Sequence, residues 1–153
     1  MASKFFERRS FRNQLKTYLE LKGWVNLTWA EGFSAYTLPE IIPPFIVVFV
    51  DDYGKQTIEM GANPTINKMF NRRAQVTVFM ETEDRVSALL DDIADFLDIE
   101  VILIKDNNTN IMGSMISDTA TITTATAAPT SAEKVIEWQG SAACMYETFY
   151  PNG

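Results

Sequence analysis

The chain has 153 residues, 46% of them apolar and 12% aromatic, which suffices to bury roughly 70% of the unfolded surface in one core without metals or disulfides. That composition excludes wholesale disorder, and the one cysteine, Cys144, excludes an internal disulfide and fits assembly in a reducing cytoplasm. A formal net charge of −7 weighs against wrapping nucleic acid by the overall field, because phosphate binding rests on counterion release by Lys and Arg.

Residues 5–22 predict a helix. Phe11, Leu15, Tyr18, Leu19 and Lys22 recur at helical spacing, Arg8, Arg12 and Lys16 form a second, outward basic face, and Gly23 stops the helix. Charges at Lys4, Glu7, Arg8, Arg9, Arg12 and Lys16 leave no room for the apolar segment of a signal peptide. The longest proline-free apolar run, FIVVFV at 45–50, is far short of the ~20 residues of a bilayer span. WVNLTW, 24–29, predicts a short strand, and 30–44, with Gly32, Pro39, Pro43 and Pro44, a loop. FIVVFVDDYGKQTIEMG, 45–61, predicts a hairpin: an apolar strand covered on both faces, a turn at Asp52, Tyr53 and Gly54, and a second strand ending at Gly61. A loop holding Asn63, Pro64 and Asn71 follows. In RRAQVTVFMET, 72–82, Ala74, Val76, Val78 and Met80 alternate with Gln75, Thr77, Phe79 and Glu81, the period of a strand with one buried face.

Thr82 is placed to cap a second helix, with Glu83 and Asp84 in its positive first turn. Val86, Leu89, Leu90, Ile93, Phe96 and Leu97 form its apolar stripe; Asp84, Asp91 and Asp95 lie opposite, with Asp92 and Asp98 on the flanks. IEVILIK, 99–105, predicts a strand, and DNNTN, 106–110, a turn rich in residues that tolerate left-handed backbone. TATITTATAAPTS, 119–131, has no charge. Thr alternates at 119, 121 and 123 and shifts phase to 124 and 126, which predicts an extended strand or arm with a bulge near Thr123 and Thr124. The final strand, within KVIEWQGSAACMYETFY at 134–150, carries Ile136, Trp138, Ala142, Cys144 and Tyr146 on one face and needs a sheet to cover it. The expected fold is α+β: a mostly antiparallel β-sheet with two main α-helices packed on one face and, over about 106–132, a long hairpin, an extended arm or a mobile loop, in a single domain spanning 1–153.

The residues for common chemistry are missing. With no histidine, Ser-His-Asp and Cys-His nucleophiles, His bases and His metal sites are all ruled out. GFSAY, 32–36, misses the last glycine of a nucleophile elbow. Cys144 has no basic neighbour in sequence and is expected to be a small buried hydrophobe. DNNTNI, 106–111, begins like a calcium loop, but Ile111 stands where glycine is needed and Ser117 where the bidentate Glu belongs. Asp51 and Asp52 are adjacent, so on a strand they point to opposite faces. No Gly-rich phosphate loop occurs, and no catalytic group, metal or cofactor is expected.

Charge is distributed unevenly. Six of the thirteen basic residues lie in 1–22, and eight of the twenty acidic ones lie in 81–100, where Arg85 is the only positive charge. Such segregation suits ordered contact between like copies.

The layout as a whole resembles the tail terminator, or tail completion, proteins of long-tailed bacteriophages. The residues that carry the resemblance, across 5–148, are the N-terminal helix, PPFIVVFVDDYGKQTIEMG with its proline entry, RRAQVTVFM leading into an amphipathic helix, then a strand, a turn and the late EWQGSAACMYE strand. The resemblance implies a virion part assembled in the host cytoplasm: a six-fold homo-oligomeric ring that caps the tail tube protein, stops tube growth and offers a docking surface to the head connector or neck adaptor. It further implies that double-stranded DNA passes through the lumen without specific binding, and that membranes and catalytic residues play no part.

Under that expectation Asp84, Asp91, Asp92 and Asp95 are candidates for a phosphate-repelling lumen or an acidic interface, and Arg8, Arg12 and Lys16 for the basic interface that a closed ring pairs with it. Asp52, Tyr53, Lys55, Thr121 and Thr123 are candidate arm contacts, able to add strands to a neighbour's sheet. Three alternatives stay open: another neck or tube subunit, an acidic module that mimics nucleic acid, and a carboxylate hydrolase using a divalent metal.

Overall fold

The computed structural model describes residues 4–31, 45–60, 67–99, 101–129 and 138–151. In chain order these form α1 (Lys4–Leu21), β1 (Thr28–Glu31), β2 (Phe45–Met60), β3 (Asn67–Met80), α2 (Glu83–Ile99), β4 (Ile102–Lys105), β5 (Ile111–Pro129) and β6 (Trp138–Tyr150). The strands make one six-stranded sheet in the order β1-β2-β3-β6-β5-β4. Only β1 and β2 run parallel; every other neighbouring pair is antiparallel. The fold is therefore α+β, with a mostly antiparallel sheet, as the element order predicts.

Each helix ends where local chemistry dictates. At the end of α1, Gly23 has φ 99°, which lets the Trp24 N–H reach the Leu19 carbonyl at 2.9 Å and the Gly23 N–H reach that of Glu20 at 3.1 Å. A side chain is disfavoured in that left-handed conformation, so glycine is the natural stop. Thr82 starts α2: its Oγ1 accepts from the Arg85 N–H at 3.3 Å and its carbonyl from the Val86 N–H at 3.2 Å.

Both helices bury their apolar stripes against the same face of the sheet. Phe11, Leu15 and Leu19 of α1 and Val86, Leu89, Ile93, Phe96 and Leu97 of α2 form one cluster with Ile46, Val48 and Val50 of β2, the even-numbered row Ala74 to Met80 of β3, and Ala142, Cys144 and Tyr146 of β6. The ring of Phe11 stands edge-on to both Phe96 and Tyr146, at 5.6 and 5.9 Å between centroids. The strand β6 can lie this close to α2 because residue 140 is glycine; a Cβ there would sit 2.5 Å from Val86 Cγ1 and 2.7 Å from Leu90 Cδ1.

Several local expectations are corrected. The apparent hairpin at 45–61 is one continuous strand along β3: Asp52 pairs with Arg72 and Thr57 with Phe70, so 53–56 stand opposite Asn71 alone. Tyr53 and Gly54 thus belong to a bulge, because both halves of the segment find backbone partners on the same neighbour, and Asp52, Tyr53 and Lys55 are not the tip of an arm. Asn71, placed in a loop by its composition, is inside β3. The strand expected at 24–29 is displaced to Thr28–Glu31, where it finds β2 in parallel, and β4 begins at Ile102 because α2 runs on to Ile99. Lys22 is exposed, its ammonium 5.5 Å from the centroid of the Tyr18 ring, and is no part of the apolar stripe. Residues 32–44, with GFSAY, and also Asn63, Pro64 and Ile136, lie outside the described residues.

The DNNTN turn forms as expected, with an unexpected residue at its strained position. Asp106 Oδ1 accepts from the Asn108 and Asn110 N–H groups at 2.8 and 2.9 Å, and Thr109, flanked by two better-suited asparagines, takes the left-handed φ of 63°. A β-branched residue is strained there. Thr109→Asn is expected to raise the unfolding free energy by about 1 kcal/mol, read by urea titration; an unchanged midpoint would mean that the Thr109 hydroxyl bond to the Asn108 carbonyl offsets the strain.

Candidate assembly surfaces

The two outer strands at the β4 end of the sheet are treated differently. The edge of β4 is closed by side chains of α1. The Gln14 Nε2 donates to the Leu103 carbonyl at 2.9 Å while its Oε1 accepts from the Leu103 N–H at 3.4 Å. Ser10 Oγ accepts from the Lys105 N–H at 3.0 Å, and Arg9 donates to the Lys105 carbonyl at 3.3 Å and to Asn107 Oδ1 at 2.7 Å. An edge occupied in this way cannot pair with another strand. β4 covers β5 only as far as Met115, however. From Ile116 onward β5 pairs with β6 on one side and has no strand on the other among the described residues.

That open length includes the uncharged tract. Asp118 pairs with Met145 and Thr123 with Ala143, so 119–122 stand opposite Cys144 alone. The register change predicted at Thr123 and Thr124 thus falls just before them. Thr121 locks it: its Oγ1 accepts from the Met145 N–H at 2.8 Å and donates to the Asp118 carbonyl at 2.7 Å, while Asp118 Oδ1 accepts from the Ala120 N–H at 3.2 Å. Ile122, the tract's large apolar residue, packs against the core. Thr121 is accordingly turned back into its own sheet, whereas Thr123 is exposed.

The charged candidates separate in the same manner. Asp84, Asp91 and Asp95 are exposed along α2, but Asp92 is half-buried and accepts from Trp24 Nε1 at 2.7 Å, which ties it to the end of α1. Lys16 is exposed, and Arg8 and Arg12 are partly buried. Burial, with the positive charges of Arg8 and Arg9 close by, pushes the Arg12 guanidinium below its usual pKa. Phe5, 52% exposed, carries the guanidinium groups of Arg8 and Arg9 at 5.9 and 5.3 Å from its centroid. Asp52, Tyr53 and Lys55 lie in β2, with side chains outside the described residues.

No protein-family model matches the chain, and no curated protein matches it in sequence. Among the described residues no three His, Cys, Asp or Glu side chains gather as a metal site, and no helix is long and apolar enough to cross a membrane. Cys144 is buried, its Sγ 3.4 Å from the Asp118 carbonyl, and burial pushes its thiol up, away from the thiolate a nucleophile needs.

One buried cluster escapes the sequence reading. Arg72 Nε donates to Glu7 Oε1 at 2.7 Å, an Arg72 terminal nitrogen donates to Oε2 at 3.3 Å, and the Tyr150 hydroxyl donates to the same Oε2. Glu7 and Arg72 are 0% and 5% exposed, and the Arg72 guanidinium lies 4.6 Å from the Phe70 ring centroid. A signal was present. Glu7 precedes Phe11, Leu15 and Leu19 at the same four-residue spacing, and Arg72 precedes Ala74, Val76 and Val78 at the strand period, so each charge sits on a row destined for the core. The cluster pins α1 to β3 and β6.

Proposed function

We propose that this chain is a structural subunit of a bacteriophage tail, forming a ring of like copies, six as the resemblance implies, at the head-proximal end of the tail tube. In this reading the ring stops tube growth, receives the head connector or neck adaptor, and lets duplex DNA through without holding it. The observation that carries the proposal is the contrast between two edges of one sheet: β4 is closed by Arg9, Ser10 and Gln14, while the uncharged length 119–129 of β5 is left without a strand beside it among the described residues. An uncharged edge invites pairing with another strand, and the register breaks at 119–122 and before Pro129 confine that pairing to short stretches without closing the edge as the side chains of α1 close β4. Left open next to one that is blunted, it suits a subunit whose sheet is completed by another chain. The basic face of α1 supplies one of the unlike patches that a closed ring must bring together, and the exposed carboxylates of Asp84, Asp91 and Asp95 suit a lumen wall that repels phosphate.

Adding the purified protein to polymerising tail tube subunits tests this. Tubes should stop lengthening, with one end of each carrying extra density in negative stain. Tubes that grow as long as in its absence, with both ends bare, would contradict the proposal, and filaments made by the protein alone would point to a tube subunit.

A further inference from the structure

The bulge in β5 builds a notch of about 470 Å³ whose lining includes Asn71, Ile116, Asp118, Thr121, Met145 and Glu147 and, at its floor, Ser117 and Tyr146. Met115 and Tyr146 face the helices as part of the core, so their neighbours Ile116, Met145 and Glu147 face the other way, and the notch opens on the side of the sheet without helices. Its apolar surface is Ile116, 52% exposed, and Met145; its rim holds the carboxylates of Asp118 and Glu147, both exposed and neither paired with a basic side chain among the described residues. The bonds of Thr121 to Met145 and Asp118 hold this shape.

The opposite pattern stands on the other side of the sheet. At the start of α1, Phe5 projects between Arg8 and Arg9, beside Lys4, in a hollow that Val50 and Asp51 of β2 also line. An exposed aromatic ring ringed by cations is the complement of an apolar notch rimmed by carboxylates. The sheet separates the two patches, so they cannot meet within one copy.

Resting on the ring reading above, we propose that the β5 notch is the socket for the Phe5 and Arg8 knob of the adjacent copy. The contact is heterologous, joining unlike patches, which is the kind that closes into a ring. Aromatic and Arg side chains are also the usual anchors of protein interfaces.

A charge exchange tests it, with sedimentation velocity over a concentration series and the capping of tail tubes as readouts. Arg8→Glu and Glu147→Arg should each raise the concentration for half-maximal assembly by about tenfold, and the double variant, which restores opposite charges at every contact, should return to within about threefold of the parent. A chain carrying both Phe5→Cys and Ile116→Cys should give a ladder of disulfide-linked oligomers on mild oxidation, and neither single variant should; Cys144, 1% exposed, takes no part. Parent-like assembly in both charge variants without a cysteine ladder would overturn the contact and leave the ring standing. Loss of tube capping in Glu147→Arg that Arg8→Glu neither shares nor rescues would likewise overturn it, assigning the notch to a different partner. A parent protein that stays monomeric and leaves tube ends bare would overturn both.

Discussion

Glu7→Ala is expected to lower the unfolding free energy by about 3–5 kcal/mol, the range found when one partner of a buried ion pair is removed. The variant would leave the Arg72 guanidinium, 5% exposed, without its carboxylate, and the Tyr150 hydroxyl, in a residue 1% exposed, without its acceptor. Much of the loss arises from removing the bonds these buried donors make to Glu7 rather than from the attraction alone. A second variant separates the two contributions. Glu7→Leu combined with Arg72→Met and Tyr150→Phe replaces the charges and the hydroxyl bonded to them by apolar groups of similar size, and should recover most of the stability lost by Glu7→Ala, since such exchanges are often neutral. Urea titration of the set, at matched slope, reads both effects; equal instability of the triple variant and Glu7→Ala would assign the ion pair itself a net favourable role.

Phe11→Ala should cost about 3–5 kcal/mol by a different route, the cavity left by a large buried ring. Phe11 is 0% exposed and its ring meets Phe96 of α2 and Tyr146 of β6 edge-on, so it joins both helices to the sheet. Edge-to-face pairs add to the burial term. Phe5, six residues earlier on α1, on another face of the helix and 52% exposed, provides the contrast: Phe5→Ala should stay within about 0.5 kcal/mol of the parent. The two substitutions remove the same atoms from the same helix. If Phe5→Ala weakens assembly while leaving the melting curve in place, its ring serves the surface and not the core.

Much of the fold was legible wherever one face of an element is buried. The buried row Ala74, Val76, Val78 and Met80, the stripe from Val86 to Leu97 and the Thr82 cap each occur at the expected positions, although Phe79, expected on the open face, is buried as well. Legibility failed where a distant partner decides. Asp52, Tyr53 and Gly54 have the composition of a tight turn, and only the pairing of Thr57 with Phe70 shows that the strand continues past them. The parallel seat of Thr28–Glu31 on β2 is equally non-local. Asp92 could be placed on a flank of α2 from its spacing, but Trp24 had first to arrive beside it. The uncharged tract was the reverse case: its phase shift was visible in the order of its threonines, while the notch that the shift creates depends on Met145 and Glu147 of the strand alongside.

A ring requires self-association, which sedimentation velocity of the purified protein, alone and in the presence of tail tubes, measures. A discrete particle of about six subunit masses should either form at high protein concentration or appear at tube ends, with no longer polymer. A protein that remains a single 17.3 kDa species at every concentration and does not sediment with tubes would contradict the ring.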